Sequence, residues 1–157
     1  MGKQAASKAL CFPAVIILYI NKGTGMTRTI ENFLKYVQID TQSDDTCENT
    51  PSTEKQYVLA GLLADQLTEM GAEDVVYDKE HCYIYASVPA SEGCEDASVL
   101  GFIAHMDTAP GVSGAGVIPR IVENYDGGDI MLNAEKDIVL RTEDFPEIQK
   151  LKGQDLI

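Results

Sequence analysis

The stretch Ser98–Pro110, SVLGFIAHMDTAP, constrains this chain most. Val99, Leu100, Phe102, Ile103 and Ala104 form a nearly unbroken apolar run. Such a run predicts a strand covered on both faces, as in the middle of an α/β sheet. Polarity then returns abruptly with His105, Asp107 and Thr108, followed by Pro110-Gly111. Open α/β sheets gather ligands at the carboxyl ends of their strands. Side chains two apart on a strand share a face, so the spacing sends His105 and Asp107 the same way and Met106 the other. A neutral imidazole ligates zinc and similar metals. A neighbouring carboxylate either ligates too or fixes the ring's tautomer and orientation. The pattern equally suits a histidine satisfied at a strand end, with Asp107 opening a turn. His-x-Asp alone does not choose between these readings.

Longer strings carry more. Gly101–Pro110, GFIAHMDTAP, resembles the first metal motif of the peptidase T family, the tripeptide aminopeptidases among the dinuclear zinc exopeptidases. Phe33–Ser43 (FLKYVQIDTQS), Pro51–Glu54 (PSTE) and Ile121–Ile130 (IVENYDGGDI) resemble further segments of that family, in its order. The resemblance covers Met26–Ile157. It implies that His105 ligates one of two zinc ions and that Asp107 is the catalytic aspartate orienting or tuning that histidine. It also implies small peptide substrates, release of the amino-terminal residue of tripeptides, and a homodimer for the complete enzyme. The family's other groups are a bridging aspartate, a Glu-Glu pair containing the general base, a further aspartate and a distant histidine. None has a matching position here. Glu80, Glu123, Glu135 and the Glu143-Asp144 pair are not promoted to those roles. On this reading the chain is an amino-terminal part of a longer enzyme, inactive and marginally folded alone. A related dipeptidase or aminoacylase stays open beside it. So does a non-catalytic acidic α/β binding module that uses no metal.

Charge narrows the partners. The 157 residues carry a net charge of −13, with 12 Lys and Arg against 25 Asp and Glu. All 25 acids lie after residue 25, together with 9 of the basic residues. Such a surface repels phosphate backbones and anionic membranes, which excludes nucleic acid as a partner. The four cysteines, Cys11, Cys47, Cys82 and Cys94, form no close pair. The chain is neither short nor cysteine-dense enough for a disulfide scaffold, and free thiols in a reducing cytoplasm are the default expectation.

Residues 1–25 read as a non-homologous extension before Met26. Their apolar run Ala9–Ile20 has 12 residues and is broken by Pro13. A membrane span needs about 20. No small-residue cleavage site follows, so a signal peptide fits poorly.

The remainder predicts two helices and then strands. Thr27–Ile39 places Ile30, Phe33, Leu34 and Val37 on one face, with Thr27 as cap. Thr53–Met70 starts with a Thr53-x-x-Gln56 box, holds Leu59, Leu62, Leu63, Leu67 and Met70 in a stripe, and ends at Gly71. Between them Asp40–Pro51 reads as a polar loop without chemistry. Asp74–Asp78 and Cys82–Val88 read as strands, the second forming a hairpin with the strand 98–105. His81 reads as an exposed loop histidine. Thr108–Pro119, rich in glycine and small residues, lacks the setting of a dinucleotide site and reads as a mobile segment bordering the site. Arg120–Tyr125, Ile130–Leu132 and Ile138–Leu140 read as short strands around the turn chemistry of Tyr125–Asp129. Phe145–Leu151 reads as a short helix and Asp155–Ile157 as a beginning strand. The order predicts a three-layer α/β fold with a mixed sheet, part of a zinc-exopeptidase-like catalytic domain.

Overall fold

A computed structural model describes Tyr19–Ile20 and residues 27–157. The reading of residues 1–25 as an extension therefore lies outside the described residues, apart from the backbone of Tyr19–Ile20. The elements in order are β1 (Tyr19–Ile20), α1 (Arg28–Tyr36), α2 (Gln56–Glu69), β2 (Glu73–Asp78), β3 (Tyr83–Ser87), β4 (Ile130–Asn133), β5 (Ile138–Leu140), a 3₁₀ turn (Pro146–Leu151) and β6 (Asp155–Leu156). The class is mixed α/β. The predicted mixed sheet is not assembled among the described residues. There are instead three two-stranded antiparallel sheets, β1–β6, β2–β3 and β4–β5. The chain divides into two units, one containing Lys35–Val117 and the other containing Ile118–Ile157.

Helix α1 begins where its cap predicts. The Ile30 amide donates to Thr27 Oγ1 at 3.4 Å, and the Glu31 amide donates to the Thr27 carbonyl. Ile30 is its buried residue.

In the first unit α2 lies against β2 and β3. The helix starts at Gln56, three residues later than predicted. The Thr53 hydroxyl donates to the Gln42 carbonyl at 2.7 Å, and Lys55 stands at the cap with no side-chain bond to the helix amides. Its buried stripe is Gln56, Leu59, Ala60 and Ala64. Leu62, Leu63 and Leu67 are half-buried and Met70 is exposed. A ribbon of two strands, about 5 Å apart, covers one stripe of a helix and leaves the flanking leucines half open. The C-terminus closes as predicted. Gly71 has φ +83°, and the amides of Gly71 and Ala72 return to the carbonyls of Thr68 and Leu67. That is a Schellman closure.

The β2–β3 hairpin pairs Asp78 with Tyr83, Tyr77 with Ile84 and Val76 with Tyr85. Its turn is organised by the Asp78 carboxylate. Oδ1 accepts from the amides of Glu80 (2.9 Å) and His81 (3.2 Å), and Oδ2 lies 2.8 Å from His81 Nδ1. Cys82 closes the turn at φ +59° and is buried.

The expected strand 98–105 is the main departure. It belongs to no sheet among the described residues, and β3 pairs with β2 instead. Val99 is 96% exposed and Ile103 fully so. Burial of an apolar strand comes from the strands and helices flanking it, and the run itself encodes only the demand for them.

The second unit has a small core of Tyr125, Ile130, Leu140, Ile148 and Leu156. Leu156 pairs with Val122 by two backbone bonds, of 2.8 and 3.0 Å. Arg120–Tyr125 is otherwise no strand, since Asn124 turns at φ +48° and gives its amide to Asp155 Oδ1. The Tyr125 amide and carbonyl bind Gln154 and Gly153, each at 2.7 Å. The chain leaves the 3₁₀ turn through Gly153 at φ +85°.

Two glycines of the α2 region are expected to respond oppositely to alanine. Neither site has an atom within 4 Å of an added Cβ. Gly61 lies in the helix interior, so Gly61→Ala is expected to stabilise by about 0.5–1 kcal/mol. Gly71→Ala forces a Cβ into the left-handed region and is expected to cost about 1–2 kcal/mol. Urea unfolding of the two variants checks both signs. The hairpin turn carries a pH dependence. The bond to Asp78 raises the His81 pKa, and the same bond lowers that of Asp78. The His81 contribution is full below the ordinary imidazole value and fades as pH rises through the raised one. The Asp78 contribution fades as pH falls through its lowered value. NMR titration is expected to place the His81 midpoint above that of an unperturbed histidine, and Asp78→Asn is expected to bring it down.

Candidate functional site

His105, Asp107 and the residues after them sit where the apolar run ends. The His105 side chain is 85% exposed and that of Asp107 38%. His105 Nδ1 lies 2.9 Å from the Asp107 backbone oxygen and 3.2 Å from Asp107 Oδ1. A carbonyl oxygen only accepts, so Nδ1 carries the hydrogen and donates to it. In the neutral ring this leaves the Nε2 lone pair free, as a metal ligand requires. The two side chains are thus brought together through the backbone as well as the carboxylate.

The segment after His105 is fastened by the loop before α2. Gln42 and Thr108 form a parallel bridge. The Thr108 amide donates to the Thr41 carbonyl at 3.1 Å. The Thr108 carbonyl accepts from both the amide and the hydroxyl of Ser43, each at 2.9 Å. Gln42 Nε2 donates to the Pro110 carbonyl at 2.8 Å. The loop is itself braced from α2. Lys55 Nζ lies 3.0 Å from Asp40 Oδ2 and donates to Gln42 Oε1 at 3.4 Å. Asp40 Oδ1 accepts from the Gln42 amide at 3.0 Å. A Cβ on Gly114 would come within 3.1 Å of Asp40 Oδ1 and 3.4 Å of Thr108 Oγ1, so glycine is what lets the segment lie this close. Thr41 is buried.

The loop Asp40–Pro51, read from the sequence as a solvated connection, therefore holds the motif's end in place. Asp40, Gln42, Ser43 and Lys55 escaped the sequence reading. Gln42 and Thr108 are 66 positions apart, and no local pattern announces their pairing. The one available signal is that Phe33–Ser43 and Gly101–Pro110 both carry the family resemblance.

The other charged groups stay apart. His81 belongs to the hairpin turn with Asp78. Cys47, Cys82 and Cys94 are free thiols. Glu80, Glu123, Glu135, Glu143 and Asp144 are exposed. Among the described residues, no group of three or more His, Cys, Asp and Glu side chains is arranged to hold a metal ion. A catalytic zinc needs three protein ligands, so the donor set seen here, one imidazole and its neighbouring carboxylate, falls short of a site.

In the second unit Tyr125–Asp129 closes on itself. The Gly128 amide donates to Asp126 Oδ1 at 2.8 Å, and the Tyr125 hydroxyl donates to the Gly128 carbonyl. Burial, and then the charges of Asp126 and Asp129, push the Tyr125 phenol up. Asp129 is held below the usual carboxylate range by the amide and hydroxyl of Thr142, which donate at 2.8 and 2.9 Å. A cleft of about 390 Å³ opens along Arg120–Met131.

No protein-family model matches the chain. Similar curated proteins are numerous. A peptidase T of Alkaliphilus oremlandii is 48% identical over 133 residues, which is 84% of this chain and 32% of that protein. A peptidase T of a Geobacillus species is 52% identical over 128 residues, 82% of this chain and 31% of that protein. One of Clostridium novyi is 50% identical over 132 residues, with 84% and 32% covered. The chain spans about a third of the length of the relatives it matches.

The brace predicts how Asp40 titrates. The Gln42 amide and then the Lys55 ammonium hold the Asp40 carboxyl below the ordinary aspartate value. Its contribution is present above that value and lost as pH falls through the lowered one. Lys55→Met is expected to move the Asp40 midpoint upward, toward that of an unpaired aspartate, in a carboxyl-carbon NMR titration.

Proposed function

Because this chain is a peptidase T relative over more than four-fifths of its length, we propose that it is part of a zinc-dependent aminopeptidase that releases the amino-terminal residue of tripeptides. The observation that carries this reading is the bond from His105 Nδ1 to the Asp107 carbonyl, which leaves Nε2 as the free donor. His105 is the metal ligand this chain supplies. Asp107 is its partner, with Oδ1 in reach of the same ring nitrogen. When bound, two zinc ions polarise the scissile carbonyl and lower the pKa of a water toward neutrality. The described residues supply too few ligands for that, so the 157-residue polypeptide alone is read as inactive. The exposed run Val99–Ile103 supports the same view, since a strand of this composition functions under cover.

The setting proposed is the cytoplasm, with Met26–Ile157 as the amino-terminal part of the catalytic domain and residues 1–25 as an appended segment. The active form is a homodimer. No helix among the described residues is long and apolar enough to cross a membrane.

The natural product of this gene, isolated from its own cells by an antibody to the chain, tests the reading. Tripeptides with a free amino terminus are expected to lose their first residue, and a chelator is expected to stop the release. In the same gene product His105→Ala is expected to lower the rate by at least about a thousandfold, on the scale of removing a metal ligand or an activated nucleophile. Release from dipeptides or acylated amino acids instead of tripeptides would move the assignment to a related exopeptidase or deacylase. Absence of hydrolysis, with an unchanged metal affinity in His105→Ala, would leave a non-catalytic acidic module.

A further inference from the structure

We infer that the loop Asp40–Ser43, braced by Lys55, selects the ring tautomer of His105 by holding one peptide plane. The Asp107 carbonyl and the Thr108 amide belong to the same trans peptide unit, so they point in opposite directions. The Thr108 amide is fastened to the Thr41 carbonyl at 3.1 Å. The Asp107 carbonyl must then face the other way, where it meets His105 Nδ1 at 2.9 Å. The next peptide unit is held too, because the Thr108 carbonyl takes two bonds from Ser43. With both planes fixed the carbonyl cannot swing from the ring.

This makes Asp40, Gln42 and Lys55 positioning residues. None touches His105. Gln42 ties the loop to the Pro110 carbonyl and receives Lys55 on its Oε1. Asp40 receives the Gln42 amide on one oxygen and the Lys55 ammonium on the other. Two acceptors compete for the Nδ1 hydrogen, and the backbone oxygen is the nearer, at 2.9 Å against 3.2 Å for the carboxylate. The Asp107 side chain is therefore not needed to choose the tautomer. The value of a bare Nε2 to a peptidase rests on the function proposed above; the choice of tautomer does not.

The test uses the full 157-residue chain without metal. Ring nitrogen-15 shifts of His105, assigned against His105→Ala, report which nitrogen carries the hydrogen at about pH 9, above the ordinary imidazole range. The wild-type ring is expected to carry it on Nδ1. Asp107→Ala is expected to keep it there, since the carbonyl remains. Asp40→Ala combined with Gln42→Ala is expected to shift the population toward hydrogen on Nε2. The same pair is expected to speed Thr108 amide exchange about tenfold, the scale of one lost hydrogen bond. Exchange within β2–β3 should be unmoved, and Lys55→Arg should behave as wild type.

The inference is overturned if Asp107→Ala alone moves the hydrogen, or if the paired variant changes neither the tautomer nor Thr108 exchange. Should the paired variant also loosen β2–β3, Gln42→Ala alone, which removes the exposed bond to Pro110, is judged by the same two criteria. Neither readout involves catalysis. An inactive gene product with hydrogen on Nδ1 would sink the function and spare this inference, and the converse would do the reverse.

Discussion

A trans peptide unit lets its carbonyl and its amide be satisfied only in opposite directions, and the site is arranged around one such unit. Thr108 stands where the apolar run has ended and the small-residue segment begins. Its amide and carbonyl both turn to the loop at residues 41–43. Asp107 and His105 take their geometry from that attachment. Gly114 admits the close approach, and Lys55 at the cap of α2 braces the loop from behind. Removing the pairing would leave His105 on an exposed segment with its orientation unspecified.

This explains an unusual division of labour at the start of α2. A threonine three residues before Gln56 is an ordinary helix cap, and the sequence reads that way. The Thr53 hydroxyl goes to the Gln42 carbonyl instead, and the helix begins uncapped by any side chain. A missing cap costs about 1 kcal/mol. The bond in its place joins the helix start to the loop that positions Thr108. Local stability is given up where a longer connection is needed.

What the sequence made legible was local. Thr27 as a cap and Gly71 as a left-handed stop follow from chemistry within a few residues, and both stand in the structure. The turns at Asp78 and Asp126 belong to the same class. The exposure of Val99–Ile103 was not legible, because cover for such a run depends on strands elsewhere. The network of Asp40, Gln42 and Lys55 with Thr108 was hidden for a related reason. Polar residues in a loop look alike whether they face water or a partner many positions away. At the site, His105 and Asp107 were visible as a pair, while the sequence placed their connection in the two side chains and overlooked the backbone oxygen.

Three thiols of this chain form a graded set. Cys94 is exposed, Cys47 half-buried and Cys82 buried within the closed hairpin turn, where lost hydration pushes its thiol up. A thiolate is the reactive species, so access and charge both disfavour Cys82. Alkylation of Cys94 then measures the reagent, while alkylation of Cys82 measures how often the hairpin opens. The hairpin thus contains its own clock, read as the mass that alkylation adds at Cys82.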